Sequence, residues 1–210
     1  MKALLRKDFY VLNKAILLYA AVILIFHSIS IRGGELIAVL YAAMLPMSAF
    51  AYDDRSHWPE LAAMFPYSPL EIVLSRYVLG WLSVIFFITA GTAGRFVLLP
   101  LLSPDSVLDI AGEITQFFME IGFSFCFLAL TMPVYFRFDA EKSRLIRWLA
   151  ILVIAGLAGA AFSLTEIAMI AGPGTDVDFL LNGWIFLPTM AVLTAVSIPL
   201  SMWAYRARQG

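Results

Sequence analysis

Charged side chains are scarce in this sequence. Only 14% of the 210 residues are charged, whereas 62% are hydrophobic, and soluble domains usually carry about a quarter charged residues. A single soluble core cannot bury so much apolar surface, so the composition excludes an ordinary soluble domain. The formal net charge of −1 also gives no bulk attraction to nucleic acid.

The residue sets that catalysis and metal binding require are missing as well. The chain has one cysteine, Cys126, and two histidines, His27 and His57, so it holds neither a disulfide framework nor a histidine-cysteine metal motif. No GxxxxGK[ST] phosphate loop and no GxGxxG, HExxH or GxSxG pattern occurs. We therefore expect no enzyme activity, no metal and no cofactor bound by the chain itself.

Apolar segments long enough to cross a membrane recur along the chain. An α-helix rises about 1.5 Å per residue and needs about 20 apolar residues to cross the hydrocarbon core. Six segments approach or exceed this length: 15–31, 35–52, 72–98, 115–136, 145–170 and 184–205. The sequence therefore predicts an all-α integral membrane protein with six transmembrane helices, in a single domain over residues 1–210.

Lysine and arginine fall on one side of these predicted spans. With the amino terminus inside, only Arg32 and Arg95 of the fourteen basic residues lie on the outer side. Cytoplasmic loops of membrane proteins collect basic residues. The distribution predicts a multi-pass protein with both termini in the cytoplasm.

Residues 1–13 precede the first span and alternate apolar with basic side chains. Leu4, Leu5 and Phe9 are interleaved with Arg6 and Lys7, as in an amphipathic helix that lies on the inner membrane surface. We predict such an interface helix. The alternative is a basic flank that only holds the first span in place.

The loop over residues 53–66 has the pattern of a short helix. Pro59 suits the first turn of a helix and Pro66 cannot continue one. Ser68, Pro69 and Glu71 then form the pattern of a capping box with proline at its first helical position. A short helix between two spans is suited to docking on a soluble partner, although an ordinary capped loop has the same pattern.

Three ionisable residues fall inside predicted spans: Arg95, Glu120 and Glu166. Charges at this depth are costly, so each should face a partner, a cavity or water. We predict that Arg95 pairs with Glu120 or Glu166 and lines the outer part of a translocation pathway. The alternatives are a structural ion pair, or side chains that reach toward the headgroups.

Three stretches carry a resemblance to a known family: residues 1–10 (MKALLRKDFY), 53–58 (DDRSHW) and 65–77 (FPYSPLEIVLSRY). The sequence resembles the type-2 ABC transporter permeases, in particular the small six-helix subunits of bacterial exporters of peptides and antimicrobials, including phenol-soluble modulins. The chain departs from that pattern at Pro69, where members often have a basic residue, and at Arg76, where lysine is common.

The resemblance implies a transmembrane subunit that works with a separate ABC ATPase, which binds the ATP and magnesium. In the family, the loop between the second and third spans is a coupling helix that docks on the ATPase, and the amino-terminal helix lies at the same interface. The docking residues implied here are Lys7, Asp8, Asp53, Asp54, Arg55, Trp58, Pro59 and Glu60.

The resemblance also implies a bacterial plasma-membrane location and a homodimer, or a heterodimer with a related permease, because six helices form half of such a transporter. Polar groups are sparse in the predicted spans, which suits amphipathic peptides or hydrophobic antimicrobials as substrates. The alternative function is a non-transporting membrane scaffold or an immunity protein.

Overall fold

Every secondary-structure element in the described part of the chain is an α-helix. A computed structural model describes residues 1–28, 34–102, 110–138 and 186–209. Within these ranges the six helices are α1 (Lys2–Ser28), α2 (Gly34–Arg55), α3 (Trp58–Ala63), α4 (Pro69–Leu102), α5 (Ile110–Arg137) and α6 (Phe186–Gln209). The predicted fifth span, 145–170, lies outside the described residues, and so does Glu166.

Three of the described helices are long and apolar enough to cross a membrane. They are Lys2–His27 in α1, Pro69–Leu98 in α4 and Gln116–Arg137 in α5. These helices confirm the predicted class, an all-α membrane protein. The predicted total of six spans stays a prediction.

The start of the chain differs from the expectation of a surface helix followed by a span. Helix α1 runs without a break from Lys2 to Ser28, so the predicted interface helix 1–13 and the first apolar segment are one element. The segment contains neither glycine nor proline. Leu4, Leu12 and Ile23 are all buried, so both halves of α1 pack against the bundle. One continuous helix can bury the apolar side chains of both halves along a single face.

The predicted short helix and capping box are both confirmed. Helix α3 has six residues and begins after His57, whose left-handed backbone (φ 52°) turns the chain away from α2. At the start of α4, the Ser68 amide donates to Glu71 Oε2 at 3.1 Å, and the Glu71 amide donates to Ser68 Oγ at 3.2 Å. Two amides that the helix itself cannot satisfy are thereby bonded.

The helices pack in two groups that meet along α2 and α4. Helix α1 packs against α2 and α4, α5 packs most extensively against α6, and both α2 and α4 also contact α5. Tyr77 and Phe87 of α4 and Phe127 of α5 are among the largest fully buried side chains. Gly80 lets α4 approach α5 closely, because a Cβ atom there would lie 2.5 Å from Leu128 Cδ1.

A buried hydrogen-bond network joins α4, α5 and α6. The Tyr77 hydroxyl is hydrogen-bonded to Ser197 Oγ and, at 2.8 Å, to Ser201 Oγ. Ser197 Oγ also donates to the Ala129 carbonyl oxygen of α5. Hydroxyl groups in an apolar bundle need such partners, so this network sets the register of the three helices.

Replacing Tyr77 with Phe should destabilise the bundle, because Ser197 and Ser201 lose a buried partner while the packing volume is nearly kept. We expect a loss of about 1 kcal/mol in the free energy of unfolding. The measurement is denaturant unfolding of the purified chain in detergent. Tyr10→Phe is the matched control, because the Tyr10 side chain is exposed, and equal stability of the two variants would contradict the prediction.

Candidate functional site

A buried cluster of charges connects α1, α2 and α4 next to α3, at what we call the α3 end of the bundle. Arg76 of α4 is only 4% exposed. Its Nη1 atom lies 3.0 Å from Asp8 Oδ2 of α1, and its Nη2 atom pairs with Asp53 Oδ2 of α2. Both carboxylates are buried as well. One guanidinium group therefore bridges three helices.

Lys7 completes this group, which we call the ion-pair cluster (Lys7, Asp8, Asp53 and Arg76). The Lys7 Nζ atom lies 2.6 Å from Asp53 Oδ1 and 3.2 Å from Asp8 Oδ1. Two cations thus balance two carboxylates. This balance is what buried charges require, since an unpaired charge in a low-dielectric bundle is strongly destabilising.

The short helix α3 is attached to the ion-pair cluster through Lys7. The Lys7 ammonium lies 4.1 Å from the centroid of the Trp58 ring, within the range of a favourable cation–π contact. The Trp58 ring in turn stacks on Phe65, with centroids 6.4 Å apart. Ser56 Oγ donates to the Asp53 carbonyl oxygen at 3.2 Å. The first residue of α3 is therefore tied to the same ammonium group that joins α1 to α2.

Aromatic contacts and a further ion pair extend this arrangement to α5 and α6. Arg76 lies over the Phe50 ring at 5.1 Å, and Phe50 contacts Phe136 of α5 edge to face at 4.9 Å. On the other side, Arg208 Nη2 of α6 donates to Asp54 Oδ1 at 3.2 Å. All five long helices therefore reach the surroundings of α3.

A cavity of about 630 Å³ lies between α3 and the ends of the long helices. Aromatic side chains from α2, α5 and α6 form much of its wall, and Asp54, Arg76 and Arg208 supply charges. Those charges already pair within the chain.

Exposed apolar side chains lie on α3 and in the turn after it. Met64 is 80% exposed, and Leu61 and Phe65 are exposed as well. Within α3 itself, Ala62 is buried and Trp58 is half-buried, whereas Glu60 is exposed. Leu61, Met64 and Phe65 lie within the predicted docking loop, 53–66, but they are not among the docking residues that the resemblance implied.

The residues predicted to dock an ATPase divide into three groups. Asp8 and Asp53 are buried inside the ion-pair cluster. Lys7, Asp54, Trp58 and Pro59 are half-buried. Arg55 and Glu60 are exposed. The structure thus brings these predicted residues together, but it uses several of them to hold α3 rather than to present a surface.

Arg95 has a described partner that the sequence did not predict, while its predicted pairing with Glu166 lies outside the described residues. Arg95 Nη2 lies 3.1 Å from Oε1 of Glu113, a residue in the first turn of α5. Glu120, two turns further along α5, instead accepts a hydrogen bond from Gln116 Nε2 at 2.9 Å and lies 3.8 Å from His27 Nε2.

Comparison with known proteins decides the family. The model of the ABC-2 family transporter protein family matches residues 3–206, nearly the whole chain. The chain belongs to the ABC-2 transporter family. No curated protein and no solved structure matches it.

Membership makes this ABC-2 protein a multi-pass membrane protein and a transmembrane subunit of an ABC transporter, a system that includes an ATPase partner. It confirms the resemblance to type-2 ABC permeases at the level of the family. It also accords with three apolar helices of spanning length.

Replacing Arg76 with Gln should strongly destabilise this ABC-2 protein, because Asp8 and Asp53 would keep only Lys7 as a cation. Breaking a buried ion pair by removing one partner costs about 3–5 kcal/mol. Asp8→Asn added to Arg76→Gln restores the balance of charge and should recover part of the loss. Denaturant unfolding in detergent measures both.

The matched control for this prediction is Arg55→Gln, which removes an exposed arginine at the same end of the bundle. It should change the free energy of unfolding by less than about 1 kcal/mol. Arg76→Gln that is as stable as Arg55→Gln, or a double variant less stable than Arg76→Gln, would contradict a balanced buried cluster.

Proposed function

We propose that this chain is the membrane subunit of a bacterial ABC exporter and that a separate ATPase docks on α3. The observation that carries the proposal is the construction of α3. It is a six-residue helix between α2 and α4. Leu61 of the helix and Met64 directly after it are exposed, and Lys7 holds Trp58. Exposed apolar side chains at a firmly held short helix suit a protein partner.

The ion-pair cluster would convert a displacement of α3 into movement of the membrane helices. Trp58 rests on Lys7, Lys7 contacts Asp8 and Asp53, and these carboxylates bind Arg76. Charge-assisted contacts of this kind are shorter and stronger than neutral ones. Closure of the ATPase would therefore push α1, α2 and α4 as one unit, while the partner binds the ATP and magnesium.

The translocation pathway would lie between two subunits. Large side chains such as Tyr77, Phe87 and Phe127 fill the centre of the described bundle. That core would stay closed if the substrate passed between two copies of the chain, or between this chain and a related permease. The inferred arrangement has both termini in the cytoplasm and α3 on the cytoplasmic side of the plasma membrane, which accords with the distribution of lysine and arginine.

The substrates that suit this subunit are amphipathic peptides or hydrophobic antimicrobials. Exposed side chains along the long helices are mostly apolar, such as Leu82, Phe86 and Val196. Buried Arg76 and half-buried Arg95 pair with carboxylates of the same chain. A surface of this kind offers little to a sugar or a small ion and more to a molecule with an apolar face.

A non-transporting role, as a membrane scaffold or an immunity protein, is the second candidate. The observation that favours it is the extent of the internal pairing around α3, where Lys7, Asp53 and Arg76 are held in a network. A rigid α3 could hold a partner at the membrane without transmitting movement. The two candidates differ in whether ATP hydrolysis by the partner is needed for function.

Docking is tested by co-purification of this chain with its candidate ABC ATPase. Leu61→Glu together with Met64→Glu should remove most of the bound ATPase, because two carboxylates would be buried in an apolar contact. The measurement is the molar ratio of ATPase to permease after affinity purification. Arg206→Gln, an exposed change at the end of α6, is the control, and a normal ratio in the double variant would contradict docking on α3.

Transport is tested in cells that express the chain with its ATPase. We expect lower accumulation of a labelled amphipathic peptide than in cells whose ATPase binds ATP but cannot hydrolyse it, because hydrolysis drives the pathway. The measurement is the amount of peptide retained over time. Equal accumulation in the two strains, with the complex intact, would reject export and favour the scaffold.

A further inference from the structure

Helix α1 carries basic side chains on its exposed face, and the docking proposal does not use this face. Arg6, Tyr10 and Lys14 follow one another at intervals of four residues, which places them on one side of the helix. All three side chains are exposed. The Arg6 Cζ atom lies 5.7 Å from the centroid of the Tyr10 ring, within the range of a cation–π contact. We call these three residues the α1 stripe.

The cations of the α1 stripe differ from the neighbouring Lys7 in their partners. Lys7 is half-buried and pairs with Asp8 and Asp53. Within the described parts of the chain, no carboxylate lies within ion-pair distance of Arg6 or Lys14. The α1 stripe therefore presents two positive charges to its surroundings.

The position of Lys14 along α1 limits what can neutralise its charge. The described helix continues for fourteen residues beyond Lys14, to Ser28, and this part carries no lysine, arginine, aspartate or glutamate. It is about 21 Å long, which is less than the hydrocarbon core of about 30 Å. A spanning α1 thus places the Lys14 backbone at the depth of acyl chains. Its ammonium group must reach the headgroup layer, and helical side chains lean toward the N-terminus, in the direction of Tyr10.

The exposed face of α1 becomes apolar directly after Lys14. Leu17 and Leu18 are both exposed, and so is Ile25 two turns further on. Leu17 follows Lys14 by three residues and therefore continues the same side of the helix. Basic groups followed by aliphatic side chains match the order of groups in an anionic phospholipid, in which a charged phosphate precedes the acyl chains.

A second copy of the chain fits this face less well than a lipid does. In a symmetric dimer whose two-fold axis runs along the membrane normal, an interface patch meets the same patch of the partner. Arg6 and Lys14 would then meet cations at their own depth, and like charges brought together at an interface are strongly unfavourable. An anionic headgroup instead brings the opposite charge to this depth.

From this geometry we propose that the α1 stripe binds the phosphate group of an anionic phospholipid in the leaflet on the α3 side. Arg6 and Lys14 supply positive charge, and charge-assisted hydrogen bonds to phosphate are strong. Tyr10 lies between them along the helix and can donate its hydroxyl proton to a phosphate oxygen. The acyl chains then lie along Leu17 and Leu18. A lipid held in this way anchors α1 at a fixed depth.

The test is native mass spectrometry of the full chain in detergent, with phosphatidylglycerol or phosphatidylcholine added. Phosphatidylcholine has no net charge, so the wild type should bind phosphatidylglycerol more tightly. Arg6→Gln together with Lys14→Gln should weaken binding of phosphatidylglycerol by at least about tenfold, because two cations are lost, and should leave binding of phosphatidylcholine unchanged. Arg6→Lys together with Lys14→Arg keeps both charges and should retain the preference.

The charge-matched control is Arg55→Gln together with Arg206→Gln, because both arginines are exposed but lie on other helices. It should bind phosphatidylglycerol as the wild type does. An equal loss in this control, or no loss when Arg6 and Lys14 are replaced by Gln, would overturn the proposal.

Two other occupants of the α1 stripe give different results in the same spectra. If the Gln variants of Arg6 and Lys14 change from dimer to monomer while their lipid binding stays unchanged, the face belongs to a second copy. If they lose bound inorganic phosphate but bind phosphatidylglycerol as before, the stripe takes a soluble anion. Either result would also overturn the proposal.

Discussion

The pairing of buried charge is the constraint on which the rest of this structure depends. An apolar bundle cannot hold an isolated ammonium, guanidinium or carboxylate group, so each such group must be placed against one of opposite sign. Arg76 meets this demand by bridging Asp8 and Asp53, and this bridge fixes how α1, α2 and α4 meet. The position of α3 follows, because Trp58 rests on the Lys7 ammonium that completes the cluster.

The same demand operates at the other end of the bundle. Arg95 pairs with Glu113, and His27 lies against Glu120, so α1, α4 and α5 are joined there by polar contacts as well. Between the two clusters the helices pack through large apolar side chains and through close approaches such as that of Gly80 to Leu128.

Around α3, the side chains that hold the helix in place differ from those that are exposed to a partner. The family resemblance implied one set of docking residues for both. Buried charges hold the short helix, whereas exposed apolar residues such as Met64 are available to a partner. In the proposed function, docking through these apolar residues and transmission through the ion pairs would be different steps. The division is physically sensible, since a charge fully paired within the chain has little left to offer a partner.

Much of the local structure was predictable from the sequence by itself. Hydrophobic runs identified the spanning helices α1, α4 and α5, two prolines marked α3, and Ser68 with Glu71 identified the start of α4, because these signals depend on neighbours within a few residues. The union of residues 1–13 with the first span was missed, since burial of Leu4 and Leu12 depends on other helices. The partners of Arg76, Arg95 and His27 were decided only by the tertiary structure. Asp8 lies 68 residues from Arg76 in the chain, and no local pattern can select one carboxylate among several at that separation; packing of the helices brings a particular pair together.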